Sequence, residues 1–565
     1  MKNNTFFKLF IIILIGLAFR LWFLDKPEGL WNDEYVSWFI ASQSDWNTFW
    51  QKVYENCHMP LYYFYLKIWM FCFSDTDISL RWSSVLPSIL SIPMMYLVGK
   101  EIKDKNLGLL CALITSLSSF LIYFAQEARL YSLIFLLSSI SVFYFIKAIK
   151  DTTNKNIASF FISNALIITT HTLGIIYSFF NILFFLFHII KENNKEKAKL
   201  IKPIVLVVIL VLICSSLLWT IAASKNLSQF WSNFSFSKIG ATFIDYFSPV
   251  LTNLVSTPAS INSYVFSEND IVYSFIIFAA VPTILGLIGF IKGTLSAKWN
   301  ERIFFNKETI LKSLLYTVFL FFLVLIILSA FGKMILITKY SIEMYPILIL
   351  TTAYGFLSFK KDFLKKSIII AFVGLNLFYL YFSPDAAQRR PRPEGHKAVA
   401  ELIKESNFTK NDIIIFTYYS ADKFERYLPN LENYTFYSIT KFDFNYPLFD
   451  GENYFEVLKN GKEKHNQFFA EFPNEKFQEY IKNNYLNNLQ KGQKIGIITL
   501  DSVSFIPTTS MEMIVNNQEA YKNTSFIFLI FSAVKNNLLH AFKTNLKFES
   551  LTKTGDWSLH IYVKE

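Results

Sequence analysis

At 565 residues the chain has room for several soluble domains, yet it is 53% hydrophobic and only 17% charged, with 61 Phe, 30 Tyr and 11 Trp. Soluble globular domains carry about 25% charged residues, so the composition excludes an ordinary soluble protein. The net charge of +11 does not describe a nucleic-acid stripe either, because the lysines fall in short clusters between apolar runs, where orientation in a bilayer places them.

In chain order, the first apolar run, 6–24, is followed by no A-x-A-like cleavage site and is expected to remain as a first membrane span. Further runs near the roughly 20 residues that cross a bilayer fall at 82–99, 107–124, 130–148, 157–170, 173–190, 203–222, 271–291, 313–331, 341–358 and 367–383. The expected fold is therefore mainly α: a polytopic transmembrane bundle of about eleven spans. With the N-terminus in the cytoplasm, the inner loops carry Lys100, Lys103 and Lys105, then Lys147, Lys150 and Lys155, then Lys191 to Lys202, then Lys292 to Lys312, then Lys360 to Lys366. Each inner loop is lysine-rich, as the positive-inside rule requires.

The segment Leu61–Ser74 is apolar but too short to span, and it contains Lys67. Counting it as a span would turn every lysine cluster outward, so it reads as a helix lying at the outer interface. Trp22, Trp31, Trp38, Trp46, Trp50, Trp69 and Trp82 all lie between residues 22 and 82, and indole rings favour the headgroup level. Beyond Ser383-Pro384 and Arg389-Arg390-Pro391-Arg392-Pro393 the character changes. Short β-like runs at 412–419, 434–439, 494–500, 525–531 and 560–563, with helical patterns at 396–405 and 475–489, predict a small C-terminal α/β domain. The expected division is a membrane domain over 1–384 and an extracytoplasmic domain over 385–565. Cys57, Cys72, Cys111 and Cys214 have neither CxxC nor zinc-ligand spacing, which argues against a disulfide framework or metal–thiolate site.

Ionisable residues at or just above membrane depth are costly and invite a functional reading. Trp31-Asn32-Asp33-Glu34-Tyr35 puts two carboxylates in a Trp-rich loop. Partial burial there would make a better proton acceptor; a helix start, capped by Asn32 or Asp33, fits the same residues. Gln126-Glu127-Ala128-Arg129-Leu130-Tyr131 lies on the outer side by the charge rule. Arg129 offers a planar fork to a phosphate, or it pairs with Glu127 to anchor a helix end. His58, before Pro60-Leu61-Tyr62-Tyr63, suits a phosphate, a metal or neither, and His171 ends a span on the same side. Thr338-Lys339-Tyr340, with Glu343 and Tyr345-Pro346, sits at the outer mouth of the tenth run, where Lys339 meets an anionic headgroup or snorkels to water. Arg20 and Arg81 lie near outer span ends.

Taken in order, Asp33-Glu34, His58-Met59-Pro60-Leu61-Tyr62-Tyr63, Leu80-Arg81-Trp82-Ser83-Ser84, the Gln126–Tyr131 element and Lys339-Tyr340…Pro346 resemble the bacterial branch of the protein O-mannosyltransferase-like family. That family is related to the lipid A aminoarabinose transferases and has the GT-C fold. The likeness covers roughly residues 1–360 in layout. Met59 stands where the family usually has Pro, and Lys339 where it usually has Arg, which keeps the charge but loses the bidentate fork. The resemblance implies sugar transfer with inversion from a polyprenyl-phosphate donor to a hydroxyl of a lipid, glycan or protein, in the bacterial plasma membrane. Asp33 would be the general base, and Glu34 and Glu127 would orient the acceptor or a cation. Arg129, Lys339, His58 and Arg81, with Tyr131 and Tyr340, would hold the lipid phosphate. Some relatives are metal-linked and others are not, so a divalent metal stays open. A transporter or flippase of lipid-linked saccharides is the alternative; the absence of an internal repeat and of midplane charges weighs against it.

Overall fold

The computed structural model describes residues 2–27, 29–55, 59–192, 209, 246, 269–296, 310–331, 338–382, 396–416, 424, 426–428, 432, 434–438, 479, 481–500, 538–554 and 557–565. Contacts divide the chain into two compact units. The first comprises Met1–Asp25, Val36–Ser256 and Phe266–Arg390; the second comprises Lys26–Tyr35, Thr257–Val265 and Pro391–Glu565.

The first unit is helical. Its helices are α1 (Lys2–Leu21), α2 (Asn32–Ser42, whose first turn belongs to the second unit), α3 (Trp46–Glu55), α4 (Leu61–Cys72), α5 (Asp77–Ile102), α6 (Lys105–Leu117) and α7 (Ser119–Ala125). They continue with α8 (Tyr131–Lys150), α9 (Asn154–Thr170), α10 (Gly174–Glu192), α11 (Asn269–Ser296) and α12 (Ile310–Phe331). A 3₁₀ segment over Thr338–Met344 leads into α13 (Tyr345–Leu357), which is followed by α14 (Asp362–Phe382). Among the described residues four stretches are long and apolar enough to cross a membrane: Asn4–Leu21, Asp77–Ile102, Tyr131–Lys150 and Ile310–Ala330. The α6–α7 pair makes a fifth if counted as one broken span. Helices also occupy the other expected spans except 203–222, which apart from residue 209 lies outside the described residues, as does the strand-like run 525–531. On α1, Phe6, Phe7, Phe10, Ile11 and Leu14 are exposed, a surface suited to lipid.

The expected span at 107–124 is broken. α6 stops at Leu117, and α7 departs at 56°. Ser118 caps the new helix, accepting from the Leu121 amide at 3.3 Å. A break at this depth frees carbonyls that lipid cannot satisfy. Arg20, fully buried on α1, takes them: its guanidinium donates to the carbonyls of Ser116 (3.0 Å) and Thr115 (3.1 Å) and to Ser88 Oγ (2.7 Å). Arg20 is thus a structural cation. A similar repair is made on α5, where Pro87 has no N–H to offer the Ser83 carbonyl. Tyr65 on α4 donates to that carbonyl at 2.7 Å, and Trp69 donates to the Ser79 carbonyl at 2.8 Å. α4 is therefore fastened along the start of α5; its 12 residues reach only about 18 Å, too short to cross. Lys67 points the other way and donates to the carbonyls of Ala41 and Gln43 at the end of α2.

Small residues set the closest crossings. A Cβ on Gly355 of α13 would lie 1.8 Å from the Gly289 carbonyl oxygen and 2.5 Å from the Gly293 nitrogen on α11. The interior of α8, α9 and α10 is tied by polar groups: Asn164 and Asn181 both donate to Ser141 Oγ, at 3.1 and 2.8 Å.

The second unit holds a five-stranded sheet in the order β2-β1-β3-β5-β4, with β1 (Ile413–Phe416), β2 (Thr435–Ser438), β3 (Lys494–Leu500), β4 (Lys547–Thr554) and β5 (Trp557–Val563). β2, β1 and β3 are parallel; β5 and β4 are antiparallel. Helix α15 (His396–Glu405) buries Val399, Ala400, Leu402 and Ile403 against Ile414, Phe416, Ile498 and Leu559. The edge strand β4 was not expected: its sequence, Lys-Phe-Glu-Ser-Leu-Thr-Lys-Thr, is far more polar than a strand such as β1, Ile-Ile-Ile-Phe. Charged side chains of this kind protect a sheet edge from pairing with another chain.

Candidate active site

In the first unit several of the expected site residues lie on or near the turn between α7 and α8. Gln126, fully buried, donates through Nε2 to the carbonyls of Phe19 (3.3 Å), Arg20 (3.3 Å) and Trp22 (2.6 Å). These carbonyls end α1 and would otherwise lack donors, so one amide caps the helix and anchors the turn. The next residues are pinned from α5. Ser84 Oγ accepts from the Arg129 amide at 3.3 Å and donates to the Arg129 carbonyl at 3.1 Å. Ser83, Ser84 and Ser88 give α5 a small-residue face that lets the turn approach its backbone. Arg81, one turn before Ser84, is fully buried and donates to the Leu24 carbonyl at 3.2 Å.

Glu127, Arg129 and Tyr131 are all buried, and the Arg129 guanidinium lies 5.8 Å from the centre of the Tyr131 ring. The 3₁₀ segment carrying Lys339 and Tyr340 packs against α8, the helix that Tyr131 opens. Lys339 is half-buried, with its ammonium 5.3 Å from the Tyr340 ring centre. Expected residues Arg81, Glu127, Arg129, Tyr131, Lys339 and Tyr340 therefore all belong to this unit. His58 lies outside the described residues.

Two residues outside that set hold the 3₁₀ segment. Glu343 is fully buried and its Oε1 meets His171 Nδ1 at the end of α9, while the His171 and Tyr340 rings lie 6.2 Å apart. Glu343 Oε2 has no hydrogen-bond partner among the described residues. Further along, Tyr345 donates to the Tyr246 carbonyl at 2.6 Å and meets Ser118 Oγ at 2.8 Å, which links the α6–α7 break to the start of α13. Glu343 was visible as an acid beside an apolar run, a signal for function or pairing at depth. Among the described residues no three His, Cys, Asp or Glu side chains gather to hold a metal ion.

Asp33 and Glu34 fall in the second unit. The Tyr35 amide donates to the Trp31 carbonyl at 2.8 Å, so α2 is capped at Trp31 rather than at Asn32 or Asp33. Glu34, buried, reaches back to accept from the Trp31 amide at 3.3 Å, the returning half of a capping box. Asp33 occupies the second position of the helix and is partly exposed, and the positive end of the helix dipole favours negative charge there. The two acids thus differ: Glu34 is engaged in holding the helix start, and Asp33 reaches the surface.

Residues 57–219 match the family described as dolichyl-phosphate-mannose-protein mannosyltransferase. No curated protein matches the chain in sequence. Among solved structures, ArnT from Cupriavidus metallidurans bound to undecaprenyl phosphate shares the fold with a TM-score of 0.51 at 11% identity, over 98% of this chain and 97% of that one. The Archaeoglobus fulgidus oligosaccharyltransferase in its apo form aligns at a TM-score of 0.47 and 12% identity, over 99% of this chain and 74% of that one.

Proposed function

With residues 57–219 matched to a lipid-phosphate-sugar transferase family, we propose that the chain is a membrane glycosyltransferase that moves a sugar from a polyprenyl-phosphate donor to an acceptor hydroxyl. The observation that carries the reading is the turn at 126–131, where Arg129 is buried beside Glu127 and Tyr131 on a backbone held from two sides. A buried guanidinium carried on so firmly held a backbone is suited to a phosphate. The solved fold relative, ArnT, is bound to undecaprenyl phosphate, which supports the same donor class here.

In the proposed reaction Asp33 takes the proton of the acceptor hydroxyl as its oxygen attacks the anomeric carbon. The bond to the phosphate oxygen breaks on the opposite side, so configuration inverts. Arg129, Lys339 and Arg81 stabilise the charge growing on the departing lipid phosphate, with Tyr131 and Tyr340 beside them and His58 as a further ligand. Phosphate leaves without a proton, so one base is enough. Glu127 orients the acceptor, and Glu34 acts through the helix start. A divalent metal would find His171 and Glu343 as a pair without a third ligand among the described residues, so no step is assigned to one. The lysine clusters favour a cytoplasmic N-terminus and hence a reaction on the outer face of the membrane, and the family resemblance favours a bacterial plasma membrane. The acceptor is a hydroxyl of a lipid, glycan or protein.

Asp33→Asn is expected to lower transfer by about 10²–10⁴-fold in membranes with normal protein levels. Arg129→Ala should raise the donor KM by roughly 10–100-fold and leave acceptor KM nearly unchanged. Near wild-type transfer by Asp33→Asn removes that residue from the base role, and equal loss for donor and acceptor removes Arg129 from the phosphate.

A further inference from the structure

The acidic segment that opens α2 is gripped by the C-terminal part of the chain, three residues before Asp33. Leu30 is fully buried, and both of its backbone polar groups are taken by side chains more than 360 positions away. The Leu30 amide donates to Tyr427 Oη at 2.8 Å. The Leu30 carbonyl accepts from His396 Nδ1 at 3.0 Å, which fixes the proton on that nitrogen, since a carbonyl cannot donate. His396 is itself fully buried, at the first position of α15, with its ring 5.3 Å from Tyr35 and 5.5 Å from Phe424. Gly29 completes the grip. Its φ of +79° is a conformation L side chains rarely adopt, and a Cβ there would stand 2.5 Å from Lys397 Cβ and 2.8 Å from Tyr427 Oη. The segment thus passes against α15 and Tyr427 with no clearance.

From this geometry we infer that the C-terminal domain positions the acidic segment, with Tyr427 and His396 as positioning residues that fix Leu30 and hence the start of α2 and Asp33. The inference rests on the reading of Asp33 as base. None of Leu30, His396 and Tyr427 lies within 57–219, so the family match does not contain it. Isolated backbone polar groups in a buried loop need partners, and a single side chain would have sufficed for either group. Both are instead held from one domain, on opposite sides of one residue, which fixes the direction of the peptide as well as its place. Catalysis by a base depends on such placement, because a displacement of about 1 Å costs on the order of 100-fold in rate.

The test uses the full chain in lipid nanodiscs. Tyr427→Phe and His396→Leu should each lower kcat about tenfold or more with donor KM little changed. His396→Gln, whose amide can donate to the Leu30 carbonyl, should recover much of the loss. Hydrogen exchange over residues 29–35 should quicken in Tyr427→Phe and His396→Leu and slow again in His396→Gln. Wild-type kcat in the first two variants, or a fall in kcat matched by a rise in donor KM and a lower melting temperature, overturns the positioning role. Unchanged exchange overturns the grip itself. Because exchange needs no activity, failure of the grip is separable from failure of the base assignment, which the Asp33→Asn variant reads alone.

Discussion

A carboxyl group taken wholly out of water is tolerated only beside a matching partner, and Glu343 meets that demand through His171. Removing one member leaves the other buried without its partner, at a cost of about 3–5 kcal/mol, whereas replacing both with apolar side chains of similar size costs far less. His171→Leu alone should therefore lower the melting temperature of the purified protein markedly. Combining it with Glu343→Met should recover most of the loss. If the two single losses simply add, the residues do not depend on each other. Their pairing was not legible in the chain, since 172 positions separate them and neither forms a local motif. Asp33, Glu127, Arg129 and Lys339 were legible, because charged residues stand out against apolar runs. That Glu34 caps α2 from inside, while Asp33 stays partly exposed, depends on where the helix begins, and two neighbouring acids do not reveal it.

Elements follow the apolar pattern closely where length alone decides, as with α1, α5, α8 and α12. Reading α4 as a segment that does not cross rested on its length and on Lys67. Lys67 in fact caps the end of α2, and the aromatic side chains of α4 serve α5. Pro87 made a defect in α5 foreseeable, but not that Tyr65 repairs it. Tyr65→Phe removes one hydroxyl and leaves the Ser83 carbonyl buried without a donor. The expected cost is about 1–3 kcal/mol, read as a lower melting temperature in detergent; an unchanged value means another group takes the carbonyl. The break after Leu117 was hidden for a different reason. Thr115-Ser116-Leu117-Ser118-Ser119 contains neither Pro nor Gly, and the group that makes the break tolerable lies on α1, in the guanidinium that donates to its carbonyls.

For the whole molecule, the change of composition near 384–393 marked a C-terminal domain, but nothing in the sequence announced that Lys26–Tyr35 would be counted with it. Such an association is set by hydrogen bonds across several hundred residues, which local patterns cannot carry. Orientation is a property of this scale, and the lysine clusters predict it. In a chain whose four cysteines are replaced by serine, a membrane-impermeant maleimide should label Asp75→Cys in intact cells. Lys103→Cys should react only after permeabilisation. The reverse result would turn the bundle over and move the proposed chemistry to the cytoplasm. The glycine crossing of α11 and α13 has a bearing on biosynthesis. The ribosome delivers Gly289 and Gly293 some sixty residues before Gly355, with α12 emerging in between. A contact this tight admits no larger residue, so the notch on α11 can receive its mate only once the later helix has been synthesised.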